Sequence, residues 1–169
     1  MIFPRTVFAV LFALIGGGCG HYQLGTGGAP AFRTLYVEPV TNRTLLPQSQ
    51  PIVTAQLRQA FIRDGRVTLV NSPAGADAIL IVVISEYARE VAAAREDDTG
   101  LARKFDLTMG VTCTLRDGRT GANVWENRIV RTRREAFTDG GQLQSEYQVL
   151  PLLAASLAGK VLQATLDTW

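Results

Sequence analysis

The chain has 169 residues, 47% of them hydrophobic and 19% charged, with a formal net charge of +2. That hydrophobic share supports a packed core and excludes a disordered polyelectrolyte. So small a net charge gives no support to nucleic-acid binding, and no nucleic acid is expected as a partner.

The chain starts with Arg5, then the apolar stretch Val7 to Ile15, then Gly16, Gly17, Gly18 and Cys19. A charged start, a short apolar stretch and small residues at the cut are the anatomy of a secretory signal, read here as residues 1–18. The stretch is too short to span a bilayer, which takes roughly 20 apolar residues. A Cys directly after the small residues resembles a bacterial lipobox, with Gly16 where Leu is usual. Cleavage is expected between Gly18 and Cys19, and Cys19 is expected to carry the lipid, palmitate included. The alternative is a plain signal peptide with a chance Cys. Residues 19–32 are rich in Gly and read as a tether. Residues 33–169 are expected to form one domain. The chain has two Cys, so with Cys19 lipidated Cys113 has no disulfide partner.

The first strand is expected from Arg33 to Glu38. Pro39 ends it, and Asn42-Arg43-Thr44 turns. Ser49 or Gln50 is expected to cap a helix, with Pro51 in its first turn. Val53, Leu57, Ala60 and Phe61 form its apolar stripe, and Gly65 closes it. Val67 to Val70 reads as a short strand. Ala78 to Ile84 is a continuous β-branched run, expected to be a central strand buried on both faces at its start and to continue to Val91 with a more exposed end. Residues 92–100 read as a hairpin loop. The next strand has strict period two: Phe105, Leu107, Met109, Val111, Cys113 and Leu115 face one way, and Asp106, Thr108, Gly110, Thr112 and Thr114 the other. Asp117 to Gly121 is a tight turn, and Ala122 to Arg134 returns as the last strand. The final helix either starts near Leu150 with Pro151 in its first turn, or includes an earlier turn at 143–147 kinked onto it.

Two helices can cover only one face of such a sheet. The expected fold is an α+β two-layer sandwich, a mostly antiparallel sheet of four to five strands with two helices on one face.

No catalytic constellation emerges, and no enzyme, cofactor or metal is expected. The single His, His21, lies in the tether. No His/Cys cluster has metal-ligand spacing. Cys113 lies on an apolar strand face and reads as a core thiol. What remains is a binding surface. Arg128, Arg131, Arg133 and Arg134 crowd the last strand, and Arg103 and Lys104 start the strand before it. Hairpin pairing is expected to gather these six residues at one end of the sheet. They make either an anion site, for which the arginine fork is suited, or a solvated edge that discourages aggregation. Trp125 is either core or an interface anchor.

Several segments together resemble a known family. Cys19-Gly20-His21-Tyr22-Gln23-Leu24 is similar to the "C-G-(F/Y)-x-L" start of mature LPS-assembly lipoproteins, the LptE family. Tyr36 to Thr44 is similar to their first strand and Asn-containing turn. Ala76-Asp77-Ala78-Ile79-Leu80 resembles their "A-D-A-x-L" segment. Asp117 through Gly121-Ala122-Asn123-Val124-Trp125 resembles their "D…G-x-x-(L/V)-W" hairpin. The resemblance implies an outer-membrane lipoprotein on the periplasmic face, with no catalysis and no cofactor. It implies an LptD-type β-barrel partner and a role in carrying lipopolysaccharide to the outer leaflet. The six basic residues are then candidate contacts to lipopolysaccharide or barrel. The alternative is a lipoprotein that regulates a peptidoglycan synthase or another envelope complex. A tether of about a dozen flexible residues, reaching some 20 Å at roughly 5–6 Å × √n, argues against that alternative.

Overall fold

The computed structural model describes residues 30–93, 104–137 and 142–167. The elements run β1 (Thr34–Val37), β2 (Thr41–Asn42), α1 (Ser49–Asp64), β3 (Thr68–Val70), β4 (Ala78–Ala93), β5 (Lys104–Asp117), β6 (Asn123–Phe137) and α2 (Gln142–Leu166). The strands form one sheet in the order β3-β1-β4-β5-β6, with β2 also against β4. The three long strands pair antiparallel. β1 is parallel to both β3 and β4, and β2 is parallel to β4. The expected α+β arrangement is present, with a mixed sheet. The helix α1 sits between parallel β1 and β3, and that connection makes this part of the sheet parallel.

Period two sets which side of β5 is dry. Phe105, Leu107, Met109, Val111, Cys113 and Leu115 are all buried. Leu107, Met109, Val111, Cys113 and Leu115 share one core with Leu35 and Val37 of β1, and with Leu80, Val82 and Ile84 of β4. Val53, Leu57 and Phe61 of α1 and Leu153, Leu157 and Val161 of α2 close that core from the helix side. Burying each such large side chain contributes about 1.5–3 kcal/mol. The other face of β4 departs from expectation. Ile79, Ile81 and Val83 are only half-buried. No helix covers them, so their shelter comes from side chains on neighbouring strands, such as Tyr36, Thr112 and Arg116 in register.

Two local features differ from the sequence reading, and a third decides between its alternatives. Gln48, in the left-handed region at φ 56°, caps α1 without a side-chain hydrogen bond. The buried Ser49 hydroxyl instead donates to the Leu46 carbonyl at 3.0 Å. The Asn42 turn is real, but Thr41 and Asn42 first pair with Val83 and Ile84 as a short strand. Asn42 Oδ1 then accepts from the Thr44 N–H at 2.9 Å, and its amide donates to the Leu46 carbonyl at 2.9 Å, an Asx turn. The third feature is Pro151, where the sequence left two alternatives open. Of the two alternatives, the longer helix is the one formed, and Pro151 lies inside it. Gly65 behaves as expected: at φ 73° its N–H donates to the Phe61 carbonyl.

Pro151 has no N–H to offer the Tyr147 carbonyl, one turn back. Its ring is exposed, so packing returns little for that lost bond. Pro151→Ala is therefore expected to raise stability by roughly 1–3 kcal/mol, read as a higher urea midpoint. A lower midpoint would show that the proline favours the fold through the unfolded chain instead.

Candidate binding surface on the open sheet face

The β5–β6 register decides where the basic side chains go. Cys113 pairs with Arg128 and Leu107 with Arg134, so these two arginines project on the helix side. Gly110 pairs with Arg131 and Thr108 with Arg133, so these two project on the open side, as does Lys104 of β5. The strand divides the expected cluster between the two faces. Alternation alone puts 128 and 134 on one face and 131 and 133 on the other, and a register shift beside Asn127, which adopts φ 55°, decides which pair takes which face. Asn tolerates that left-handed conformation better than most residues. Simple alternation from Trp125 would put Arg128 on the open face and Arg131 beneath the sheet; the bulge reverses every later residue. Arg103, Gly18 and Cys19 lie outside the described residues.

Beneath the sheet, Arg128 donates to the Ala164 carbonyl of α2 and stacks 4.4 Å from the centre of the Trp125 ring. Arg134 donates to Ser156 Oγ of α2 at 3.3 Å. Both tie β6 to the last helix. Trp125 itself packs against the core, and its buried indole N–H has no hydrogen-bond partner. Cys113 is fully buried, and burial pushes its thiol up to about 12, which keeps it protonated and unreactive.

On the open face, ion pairs step along the strands. Arg131 Nε lies 2.6 Å from Glu86 Oε2, Arg133 holds Asp106, and Lys104 Nζ lies 2.5 Å from Glu135 Oε1. The first pair spans from β6 to β4 across β5, and Gly110 is what lets it. A Cβ at Gly110 would sit 3.0 Å from both Glu86 Cβ and Glu86 Oε2. Lys104 Nζ also lies 5.9 Å from the Phe137 ring centre. The side chains of Arg131 and Arg133 remain 58% and 59% exposed, so each fork can take a further anion. The residues that sequence reasoning missed are the acidic partners. The pattern had already placed Asp106 on the wet side of β5. The hairpin register then brings it beside Arg133.

The Arg133 guanidinium holds the Asp106 carboxyl below its ordinary 3.8, against the opposing effect of desolvation. A lowered folded-state value means that the ionised carboxylate favours the fold above its unfolded value, and that this is lost as pH falls through the folded one. Asp106→Asn and the native chain should therefore differ in urea midpoint at neutral pH and converge as pH falls below 3.8. A constant difference at all pH values would remove the ion pair from the explanation.

A concavity of about 690 Å³ lies between the Arg43–Pro47 loop and Tyr87, Arg89 and Glu146. Leu45 stands fully exposed on that loop. The polar groups here engage one another: Arg89 pairs with Glu146 at 2.6 Å, and Tyr87 Oη donates to Glu146 at 3.5 Å. Burial, aided by the Glu146 charge, pushes the Tyr87 phenol up to about 12. Among the described residues, no group of three or more His, Cys, Asp or Glu could hold a metal ion.

Solved structures share this architecture. A minor lipoprotein from Acinetobacter baumannii is 20% identical with a TM-score of 0.53, covering 79% of this chain and 93% of its own. Protein XCC0632 from Xanthomonas campestris reaches a TM-score of 0.59 at 11% identity, covering 83% of this chain and 87% of its own. The rare lipoprotein B from Shewanella oneidensis has a TM-score of 0.50 at 14% identity, covering 78% and 92%. At these identities the likeness is one of fold. No curated protein sequence matches the chain. The family model described as LptE, lipopolysaccharide-assembly, matches residues 32–165, which span nearly all of the folded domain, and the chain belongs to that family of non-catalytic lipoproteins.

Proposed function

We propose that this chain is an outer-membrane lipoprotein that partners an LptD-type β-barrel in assembling lipopolysaccharide into the outer leaflet, without catalysis. The observation that carries the reading is the family match over residues 32–165, from the first strand to the end of the last helix. The lipid on Cys19 holds the domain at the periplasmic face of the outer membrane. The charged open face of β4, β5 and β6 turns toward the barrel. Arg131 and Arg133, half-exposed on that face, are the leading contacts to lipid phosphates or an acidic barrel wall. Lys104 and Arg103 extend that set, while Arg128 and Arg134 act by fixing β6 on α2.

The test is affinity capture of the full-length lipoprotein from detergent-solubilised envelopes, with partners identified by mass. A stoichiometric complex with a large outer-membrane barrel is the expected result. A peptidoglycan synthase in its place, or no barrel, would overturn the proposal. Lipopolysaccharide binding by the Arg131→Ala, Arg133→Ala double variant then tests the contacts. Unaltered binding would assign those arginines to the barrel wall rather than to the lipid.

A further inference from the structure

We propose that the free edge of β6 is a docking edge, on which an extended, carboxylate-bearing segment of another polypeptide adds as a further strand. β6 runs from Asn123 to Phe137 and lies at the end of the sheet, with β5 as its one strand neighbour among the described residues. After the Asn127 bulge, residues 128–137 keep register with β5 in steps of one. At ~3.3 Å per residue this is an edge of about 33 Å. An edge strand presents a row of backbone N–H and C=O groups that no neighbour pairs, a template for another chain. The opposite edge, β3, is three residues long and offers no such template.

The usual guards of a long edge are diverted here. Proteins protect edges with short strands, prolines, covering elements or charges held along the rim. β6 contains no proline. Its arginines turn inward: Arg131 reaches Glu86 on β4, Arg133 reaches Asp106 on β5, and Arg128 and Arg134 bend under the sheet to α2. Among the described residues a guard from outside the sheet is Lys160 of α2, whose Nζ donates to the Arg131 carbonyl at 2.8 Å. A lysine is a mobile guard, and an added strand can displace it.

The side chains beside this edge specify the occupant. On the open face, Ile129 and Phe137 are 56% and 57% exposed and stand at either end of Arg131, Arg133 and Glu135. An added strand with acidic residues opposite the two arginines and apolar residues opposite Ile129 and Phe137 would make favourable cross-strand pairs. A second copy of this chain would not. β6 carries four arginines against Glu126 and Glu135, and Lys160 adds another cation beside it. Two such edges would set like charges opposite each other. The neutralising Glu86 and Asp106 lie on the inner strands, away from the rim.

The source of the segment rests on the proposed function, under which it belongs to the barrel partner. The test places a photo-reactive amino acid singly at Ile129, Arg131, Arg133, Glu135 and Phe137 of the full-length lipoprotein, in intact envelopes. Exposed Ile62 on α1, at 65%, is the control. Strand addition predicts a ladder: each two-residue step along β6 moves the crosslink two residues along one acidic segment of one partner. Scattered crosslinks, crosslinks to lipid alone, or crosslinks to a second copy of this chain would overturn the docking edge. A barrel that co-purifies without β6 crosslinks overturns the edge and leaves the proposed function standing. A crosslink ladder on a protein that is not a barrel does the reverse.

Discussion

Gly118→Ala is expected to destabilise the domain by about 3 kcal/mol, read as a drop in urea midpoint with an unchanged slope. The reason is space. A Cβ at Gly118 would sit 1.9 Å from the Ala76 carbonyl oxygen and 2.8 Å from the Ala76 carbonyl carbon. Both atoms are backbone, so no side chain can swing aside. The hairpin turn must retreat, and the Gly118 N–H would lose its 2.8 Å bond to the Asp77 carbonyl. Asp77 is also the residue that pins the first strand. Its carboxylate accepts the N–H groups of Arg33 and Thr34 at 3.1 and 3.0 Å, and its own N–H donates to Thr34 Oγ1 at 2.9 Å. Pushing on Gly118 therefore disturbs β1, the start of β4 and the β5–β6 turn together. Gly121, in the same turn, provides the contrast. It has φ 73° and open space around its Cβ position. Gly121→Ala should cost only about 1–2 kcal/mol, the left-handed penalty. Equal losses at the two positions would mean that the close approach at Gly118 is not what matters.

This junction also explains the motifs. Ala76-Asp77-Ala78 and Asp117 to Gly121 lie far apart in sequence, yet they are two halves of one contact. The small residues let the backbones meet, and Asp77 binds N–H groups 43 and 44 residues away. Asp117 does the local equivalent, accepting the N–H groups of Arg119 and Thr120 at 2.9 and 2.8 Å. Both carboxyls are held below their ordinary value chiefly by these backbone N–H groups. A sequence shows that such residues suit turns. It does not show that one turn rests on another.

The same division holds across the molecule. The alternation of β5, the stripe of α1 and the Gly65 cap were legible because each depends on neighbours a few residues away. The pairing of β2 was not, because a strand of two residues has no period. The surface was read least well. Six basic residues in two adjacent strands looked like one cluster, because hairpin pairing brings them to one end of the sheet, but alternation along β6 puts two of its arginines on each face. One left-handed residue, Asn127, reverses the parity of β6 and sends Arg128 and Arg134 beneath the sheet. Asn in a strand is a weak signal, since its side chain is equally at home on a wet surface. The acidic partners were harder still: Glu86 meets Arg131 only because Gly110 lies between them without a side chain.

Phe61→Ala is expected to cost about 3–5 kcal/mol, against a total of roughly 5–15 kcal/mol for an ordinary domain. Phe61 is fully buried and heads the set of largest fully buried side chains. With Val53 and Leu57 it forms the stripe at i, i+4 and i+8 by which α1 enters the core shared with α2 and the sheet. Removing the ring leaves a cavity bounded by a helix tied at both ends, by the Gly65 cap and by the Ser49 hydroxyl on the Leu46 carbonyl. Ile62 is the neighbouring residue and is 65% exposed. Ile62→Ala should stay within about 0.5 kcal/mol of the native chain. The pair separates the role of the stripe from the helix propensity of alanine, which is gained at both positions. If the core carries the fold, Phe61→Ala also lowers the amount of folded protein recovered, in step with its lost stability, whereas Ile62→Ala leaves it unchanged. A stable Phe61→Ala protein would show that α1 is held by its ends, and that the core of this domain lies between α2 and the sheet alone.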